Sequence, residues 1–231
     1  MINEKKISFI ICTNYAILYD ECVKYIQRLD IPEGFMVDII PIRGAHSMAS
    51  GYNAGMKQTD ARYKIYMHQD VFILNRYFLV NMLKAFQLYP SAKMMGMVGT
   101  ERLSATGIMW KGKSYGALYE RDERPYVHEL LDEKTKVMKA EAIDGLLMAT
   151  CEDIPWREDL FDGFDFYDIS QSFEFRRHGY DIAVPNQEYA WCVHDDGKIL
   201  NLFHYNHYRE IFLENYKEDM AAVKRESEKL Y

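Results

Sequence analysis

The sequence predicts an α/β domain: an open, mostly parallel sheet with helices on its faces. Two observations carry this. Up to residue 98, short and nearly continuous apolar runs alternate with stretches of helical period, the pattern of strands buried on both faces and joined by crossover helices. The chain also has 231 residues, 48% apolar and 27% charged. That is enough for one such domain with a helical tail, in the balance of a globular protein.

The elements follow in order. Ile7-Ser8-Phe9-Ile10-Ile11-Cys12 reads as a buried parallel strand. Thr13-Asn14 supplies helix-cap chemistry for a helix over 15–29. Phe35 to Ile42 is a second strand, broken by Pro41 near its end, and Met48 to Lys57 is a short helix. Tyr63 to Met67 is a third strand, running straight into His68-Gln69-Asp70. Asn75 to Tyr89 is an amphipathic helix with Phe78, Met82, Leu83 and Phe86 on one side and Pro90 as its stop. Met94 to Val98 is a fourth strand. Between 100 and 142 the chain is rich in Gly, Lys and Tyr without strong period, which predicts loops and short strands long enough for a lid. Gly145 to Thr150 is a strand, Tyr167 to His178 a helix closed by Gly179, and Tyr180 to Val184 and Glu188 to Val193 are strands. Tyr208, Phe212, Tyr216, Met220 and Val223 then recur at spacings of four and three. They predict an amphipathic helix over 205–230, docked on the domain or on a second subunit. The organisation is therefore a domain over 1–204 and a helix over 205–231.

Composition narrows the function. Twenty-eight basic against 35 acidic residues give a net charge of −7, with no basic surplus to neutralise a nucleic-acid backbone. Cys12, Cys22, Cys151 and Cys192 form no C-x-x-C pair and lie in apolar contexts. A chain this long needs no disulfides, so they read as reduced, buried thiols of a cytoplasmic protein. The apolar run behind the N-terminus, Ile7 to Cys12, is too short for a secretory signal. No run approaches the ~20 apolar residues of a membrane span; peripheral contact with a membrane is left open.

Ligands of open parallel sheets bind beyond the carboxyl ends of the strands, so the polar residues that follow strands are the candidates. Asp70 comes after an apolar strand, beside His68 and before Val71-Phe72-Ile73. A carboxylate there needs a cation or donors to stay ionised; a divalent metal holding a diphosphate is one answer, a turn or cap aspartate the other. Asp165 and Asp168 lie three apart at a helix start. The helix dipole favours a carboxylate there, which is then anionic and able to serve as a general base, although Asp is also a common first-turn residue. His194 ends an apolar strand as a metal ligand or a structural hydrogen-bonder. His204 and His207 lack an H-E-x-x-H pattern and read as packing and capping residues. Asp144-Gly145 precedes a strand, where a turn also explains the pair, and Asn53 is a loop-holding side chain. No P-loop, G-x-G-x-x-G, G-x-S-x-G or kinase signature occurs.

Taken in order, these segments resemble a family. They are Ile7 to Asn14, Gly51-Tyr52-Asn53-Ala54-Gly55, Tyr66-Met67-His68-Gln69-Asp70-Val71, Asp144-Gly145, Phe164-Asp165-Phe166-Tyr167-Asp168-Ile169 with Arg176 and Gly179, and His194-Asp195. Over roughly residues 5–197 the chain is similar to family 2 glycosyltransferases of GT-A fold, nearest a small branch associated with a streptomycin-biosynthesis protein. Each motif is weak alone; their order makes the resemblance specific. It implies a nucleotide-diphospho-sugar donor and a carbohydrate, lipid-linked or small-molecule acceptor. It further implies a Mn²⁺ or Mg²⁺ cofactor and a single displacement with inversion. By position, Thr13, Asn14, Asn53, His68, Gln69 and Asp70 would bind the nucleotide-sugar, Asp70 and His194 the metal, and Asp144, Gly145 and Asp165 the acceptor. Asp168 would be the base. The chain departs from the pattern in three places: His68 stands for the first Asp of D-x-D, Tyr167 for the Glu of E-D, and strand two ends in Ile40-Pro41-Ile42-Arg43 instead of an acidic pair. Arg43 is then placed to neutralise phosphate. Three other readings stay open on these departures: a nucleotide-sugar-binding protein without transfer, a metal-dependent hydrolase, and an assembly module with the last helix as a homodimer arm.

Overall fold

Strand β1 (Asn3–Thr13) shows in one segment why the chain forms a two-faced sheet. Ile7, Phe9 and Ile11 enter one buried cluster and Ile10 the other, all at most 2% exposed. Alternation with both faces apolar leaves the strand no wet side, so layers must form above and below it. The protein is described by a computed structural model that covers residues 1–120, 136–195 and 201–220, and the backbone of 125–128.

From β1 the chain runs through α1 (Ala16–Gln27), β2 (Met36–Arg43), α2 (Met48–Met56) and β3 (Ala61–His68). β1 pairs in parallel with β2 on one side and β3 on the other. Pro41 does not break β2: it pairs with Ile11, on a strand at the edge of its sheet, where a missing N–H is tolerated. Helix α2 starts with a Ser47–Ser50 capping box and lies close on β1 because position 55 is glycine; a Cβ there would strike Ile10. Thr13 and Asn14 do not cap α1. Its N-cap is Tyr15, with no side-chain cap of its own. Instead the Gln69 Oε1 accepts from Thr13 Oγ1 (2.9 Å), Asn14 N (3.1 Å) and Tyr15 N (3.0 Å), so the β3 end holds the β1–α1 loop.

The remaining elements are β4 (Val71–Ile73), α3 (Phe78–Leu88), β5 (Ala92–Gly96), β6 (Val98–Thr100), a 3₁₀ turn (Met109–Lys111), β7 (Ser114–Glu120), β8 (Pro125–His128), β9 (Val137–Ala140), β10 (Ala142–Ile143), β11 (Leu147–Thr150), α4 (Tyr167–Arg177), β12 (Asp181–Pro185), β13 (Cys192–His194) and α5 (Leu202–Asn215). The main sheet has seven strands in the order β2-β1-β3-β11-β5-β12-β9. Only β11 and β9 run against the rest, so the expected open, mostly parallel α/β sheet is present. A second sheet, β10-β6-β7-β13-β4 with β8 on β7, was not expected as such. Its strands come from the 100–142 stretch, from the ends of the expected Met94–Val98 and Glu188–Val193 strands, and from Val71-Phe72-Ile73, read from sequence only as an apolar stretch. The predicted strand over Glu188 to Val193 shrinks to β13, and Asp144-Gly145 is a turn ahead of β11. A lid over 100–142 lies partly outside the described residues.

Helix α5 packs on the domain itself. Phe212 and Tyr216 are fully buried, Phe212 against Phe166 and Phe173, and the Tyr216 hydroxyl donates to Glu174 (2.7 Å) and pairs with Ser170 (2.8 Å) on α4. Val223 and the rest of the predicted helix beyond 220 lie outside the described residues.

Candidate functional site

The site forms where the two sheets meet. β3 ends in His68, the chain turns through Gln69-Asp70, and β4 leaves along the second sheet. β13 pairs antiparallel with β4, with His194 opposite Val71 and the Asp195 N–H on the Asp70 carbonyl (2.9 Å). That register carries His194 to Asp70 across 124 residues of sequence. His68 Nδ1 lies 3.4 Å from His194 Nε2 and 3.9 Å from Asp70 Oδ1, and His194 Nε2 lies 3.7 Å from Asp70 Oδ1. Asp70 is 4% exposed, and its Oδ1 has no hydrogen-bond partner. Donor atoms sharing one ion at ~2.1 Å stand at most ~4.2 Å apart. All three separations meet that limit, and the orphaned buried oxygen is the atom a cation would satisfy. The residues present therefore fit a divalent metal.

The other nitrogen of His68 is fixed. Its Nε2 lies 2.5 Å from the Tyr167 hydroxyl, which leaves Nδ1 toward Asp70 and His194. Orienting partners of this kind set the tautomer and ring angle of metal-binding histidines. Tyr167 is itself held, 5% exposed among Tyr52 and Trp156. Its hydroxyl occupies the space left by Gly145, where a Cβ would strike it.

Next to this cluster stand two carboxylates. Asp168, in the first turn of α4, accepts from Gly145 N (2.9 Å) and Ile169 N (2.8 Å). Desolvation, then the neighbouring Asp144 charge, push its carboxyl up to about 7, against the pull of those two N–H groups. Asp144 accepts from Leu146 N through Oδ1 (2.9 Å).

Two clefts adjoin the cluster. One, about 160 Å³, is lined by Cys12, Thr13, Asn14, Ile42, Gly44, Met48, His68, Gln69 and Asp70, with Phe164 across from them. The other, about 250 Å³, is lined by residues of β6 and β7, the 3₁₀ turn, Asp144 and His194. His68 and Asp70 thus face one cleft and His194 the other.

The structure gathers Thr13, Asn14, His68, Gln69, Asp70, Asp144, Gly145, Asp168 and His194 around this seam. Arg43 stands exposed between two residues of the first cleft, its guanidinium 5.6 Å from the Tyr19 ring. One expected residue is not brought in. Asn53 is 4% exposed and spends both ends of its amide on the Trp156 backbone (2.9 Å each), which is the loop-holding role, not nucleotide binding. Asp165, like Gly145 and Asp168, is not among the residues that line either cleft; burial raises its pKa and His204 opposes it. Sequence reasoning missed His68 as a third metal-facing group, Tyr167 as its orienting partner, and Trp110 on the second cleft. Tyr167 was legible only as a departure from a motif, and no local spacing links it to His68.

Comparison with known proteins agrees with this architecture. The fold is similar to that of an S. aureus TarS fragment (1–349) bound to UDP, at TM-score 0.55 and 12% identity, over 91% of this chain and 65% of that one. The same fragment bound to UDP-GlcNAc aligns at TM-score 0.57 and 11% identity, over 91% and 66%. The mannosyltransferase PcManGT of Pyrobaculum calidifontis, in complex with GDP-Man and Mn²⁺, aligns at TM-score 0.53 and 14% identity, over 96% and 65%. The chain thus spans just under two thirds of these neighbours' lengths. No curated protein sequence matches it. The sequence profile of a glycosyltransferase-like family matches residues 8–216, nearly the whole described chain, and the protein belongs to that family.

Proposed function

We propose that the chain moves a sugar from a nucleotide-diphospho-sugar to an acceptor hydroxyl, with inversion and with a divalent metal. The observation that carries this is the His68–Asp70–His194 cluster at the seam of two clefts: a donor in one and an acceptor in the other meet where a leaving diphosphate needs its charge held. Fold neighbours crystallised with UDP, UDP-GlcNAc, and GDP-Man with Mn²⁺ support the donor class. We assign the chain to the streptomycin-associated branch on the order of its motifs from Ile7–Asn14 to His194-Asp195, and to the cytoplasm, peripheral to the membrane where its acceptor is lipid-linked.

His68, Asp70 and His194 would hold the ion. Two imidazole nitrogens with one carboxylate suit Mn²⁺ better than Mg²⁺, which prefers an all-oxygen shell. When bound, it supplies positive charge to the departing diphosphate. Thr13 and Asn14, fixed by Gln69, present the β1–α1 loop to the nucleotide, and Arg43 adds charge at the cleft edge. Asp144 and Gly145 shape the acceptor side. Asp168 takes the acceptor hydroxyl proton as that oxygen attacks the anomeric carbon from the face opposite the diphosphate. A carboxyl raised by burial suits this work, because it is a stronger base than an ordinary aspartate.

A second reading, a nucleotide-sugar-binding protein without transfer, draws on the His68 and Tyr167 departures. The 2.5 Å bond between them weakens it, since the two replacements complement each other. The test is thermal stability against nucleoside diphosphates and their sugars, with and without Mn²⁺, followed by turnover of the donor that binds. A metal-dependent shift with sugar release that Asp168→Asn abolishes supports transfer. A shift without release supports the binding protein.

A further inference from the structure

Trp110 stands apart from the other tryptophans of the chain. Trp156 and Trp191 are 3% and 6% exposed; Trp110 is 53% exposed. It sits on the one-turn 3₁₀ helix Met109–Lys111, between the two strands that floor the second cleft. Its ring is braced against Tyr205 of α5, at 5.5 Å and 31°, and Tyr205 rests in turn on Phe166 at 4.9 Å. The indole is therefore held in place while much of it faces the cleft and solvent. Asp144, Glu120, His194 and Ser114 line the same cleft. The β7–β13 register sets Glu120 directly beside His194. Among the described residues lining this cleft there is no lysine or arginine.

We infer that this cleft takes the acceptor as a single uncharged or amino-bearing glycoside ring, stacked on Trp110 with its hydroxyls on Asp144 and Glu120, and that it rejects phosphorylated sugars. The inference rests on the transferase reading and names the acceptor class for it. A flat aromatic face offers the large contact that the C–H face of a pyranose needs. Ionised carboxylates are acceptors only, so they take hydrogen bonds from hydroxyl or ammonium groups and repel phosphate. The space, about 250 Å³, falls below the ~300–1,000 Å³ of drug-sized sites and suits one ring, not an extended chain. His194 closes the end of the cleft that meets the metal cluster, so a ring on Trp110 is directed toward the donor.

Tryptophan emission tests this, because Trp110 is the solvent-facing indole of the three. The full chain, with Mn²⁺ and the nucleoside diphosphate that shifts its melting, is titrated with methyl glucoside, methyl mannoside, methyl N-acetylglucosaminide and glucosamine, and with glucose 6-phosphate and mannose 6-phosphate. Expected is a blue shift and reduced acrylamide quenching with at least one neutral or amino sugar and with neither phosphate. The response should vanish in Trp110→Ala, and Asp144→Asn should weaken that sugar's apparent affinity about tenfold. Trp110→Phe should keep part of the sugar's effect on turnover, as a stacking role requires. Equal binding of the phosphosugars would overturn the inference. So would a sugar response that survives Trp110→Ala, or no sugar response in a protein that still binds nucleotide with Mn²⁺. Loss of the nucleotide response as well would overturn the transferase reading with it.

Discussion

Asp168 carries opposite demands at one atom pair. Its folded pKa of about 7 stands above the ordinary carboxylate value because burial and Asp144 disfavour the charge. The folded state thus binds the proton more tightly than the unfolded chain, and stability contributed below about pH 4 is lost as pH rises toward 7. Asp168→Asn keeps an oxygen for the Gly145 N–H but removes that buried charge. It should melt higher than the parent at pH 8, while turnover falls by roughly 10²–10⁴-fold; paired melting curves and rate assays read both. In the parent, turnover should rise through pH 7 as the base ionises. Tyr167 makes a second prediction at this scale. Tyr167→Phe removes the bond that orients His68 and should weaken Mn²⁺ binding by roughly ten- to a hundredfold, read by titration calorimetry on protein stripped of metal. Such pairs explain what the sequence hid. His68 and Tyr167 are 99 positions apart, and each looked like a lost motif residue because only the fold shows that one answers the other. Asn53 misled in the reverse sense: its place in a motif suggested a ligand, while its amide holds the Trp156 backbone.

At the scale of elements, legibility followed length and burial. β1 and β3 could be read because long apolar runs on both faces leave few other structures to adopt. β4 and β13 have three residues each, too few for a period; β13 was legible only as the end of a longer expected strand, and β4 is a strand because β13 pairs with it. The turn between β10 and β11 is equally constrained. Gly145→Ala sets a methyl against the Tyr167 hydroxyl, and Tyr167 cannot retreat into Tyr52 and Trp156. The substitution should cost about 1–3 kcal/mol of stability and lower Mn²⁺ affinity together with it, whereas Gly34→Ala, where a Cβ meets nothing but sits at φ +76°, should leave metal binding unchanged. For α5, Phe212 is fully buried on α4 residues, so Phe212→Ala should cost about 3–5 kcal/mol in denaturant unfolding. A helix held only by a second subunit would instead show little change in the monomer.

For the whole molecule, the proposed donor cleft lies against the main sheet and the proposed acceptor cleft against the second, and the residues that would hold a cation come from both. β3 brings His68, the turn after it Asp70, and β13 His194. The sequence showed the first sheet and the order of the motifs, and so the family. The seam was illegible because it depends on which strands pair across long separations. The central claim is that this seam binds a divalent ion for the donor diphosphate. The measurement is Mn²⁺ binding to the full chain by calorimetry, alone and with UDP or GDP, for the parent, Asp70→Asn and His194→Ala. The account predicts a single site whose Mn²⁺ affinity rises when one of the two nucleotides is present, and which both substitutions abolish while the proteins stay folded. Mn²⁺ binding that survives His194→Ala, or nucleotide binding equally tight in the presence of a chelator, would contradict it.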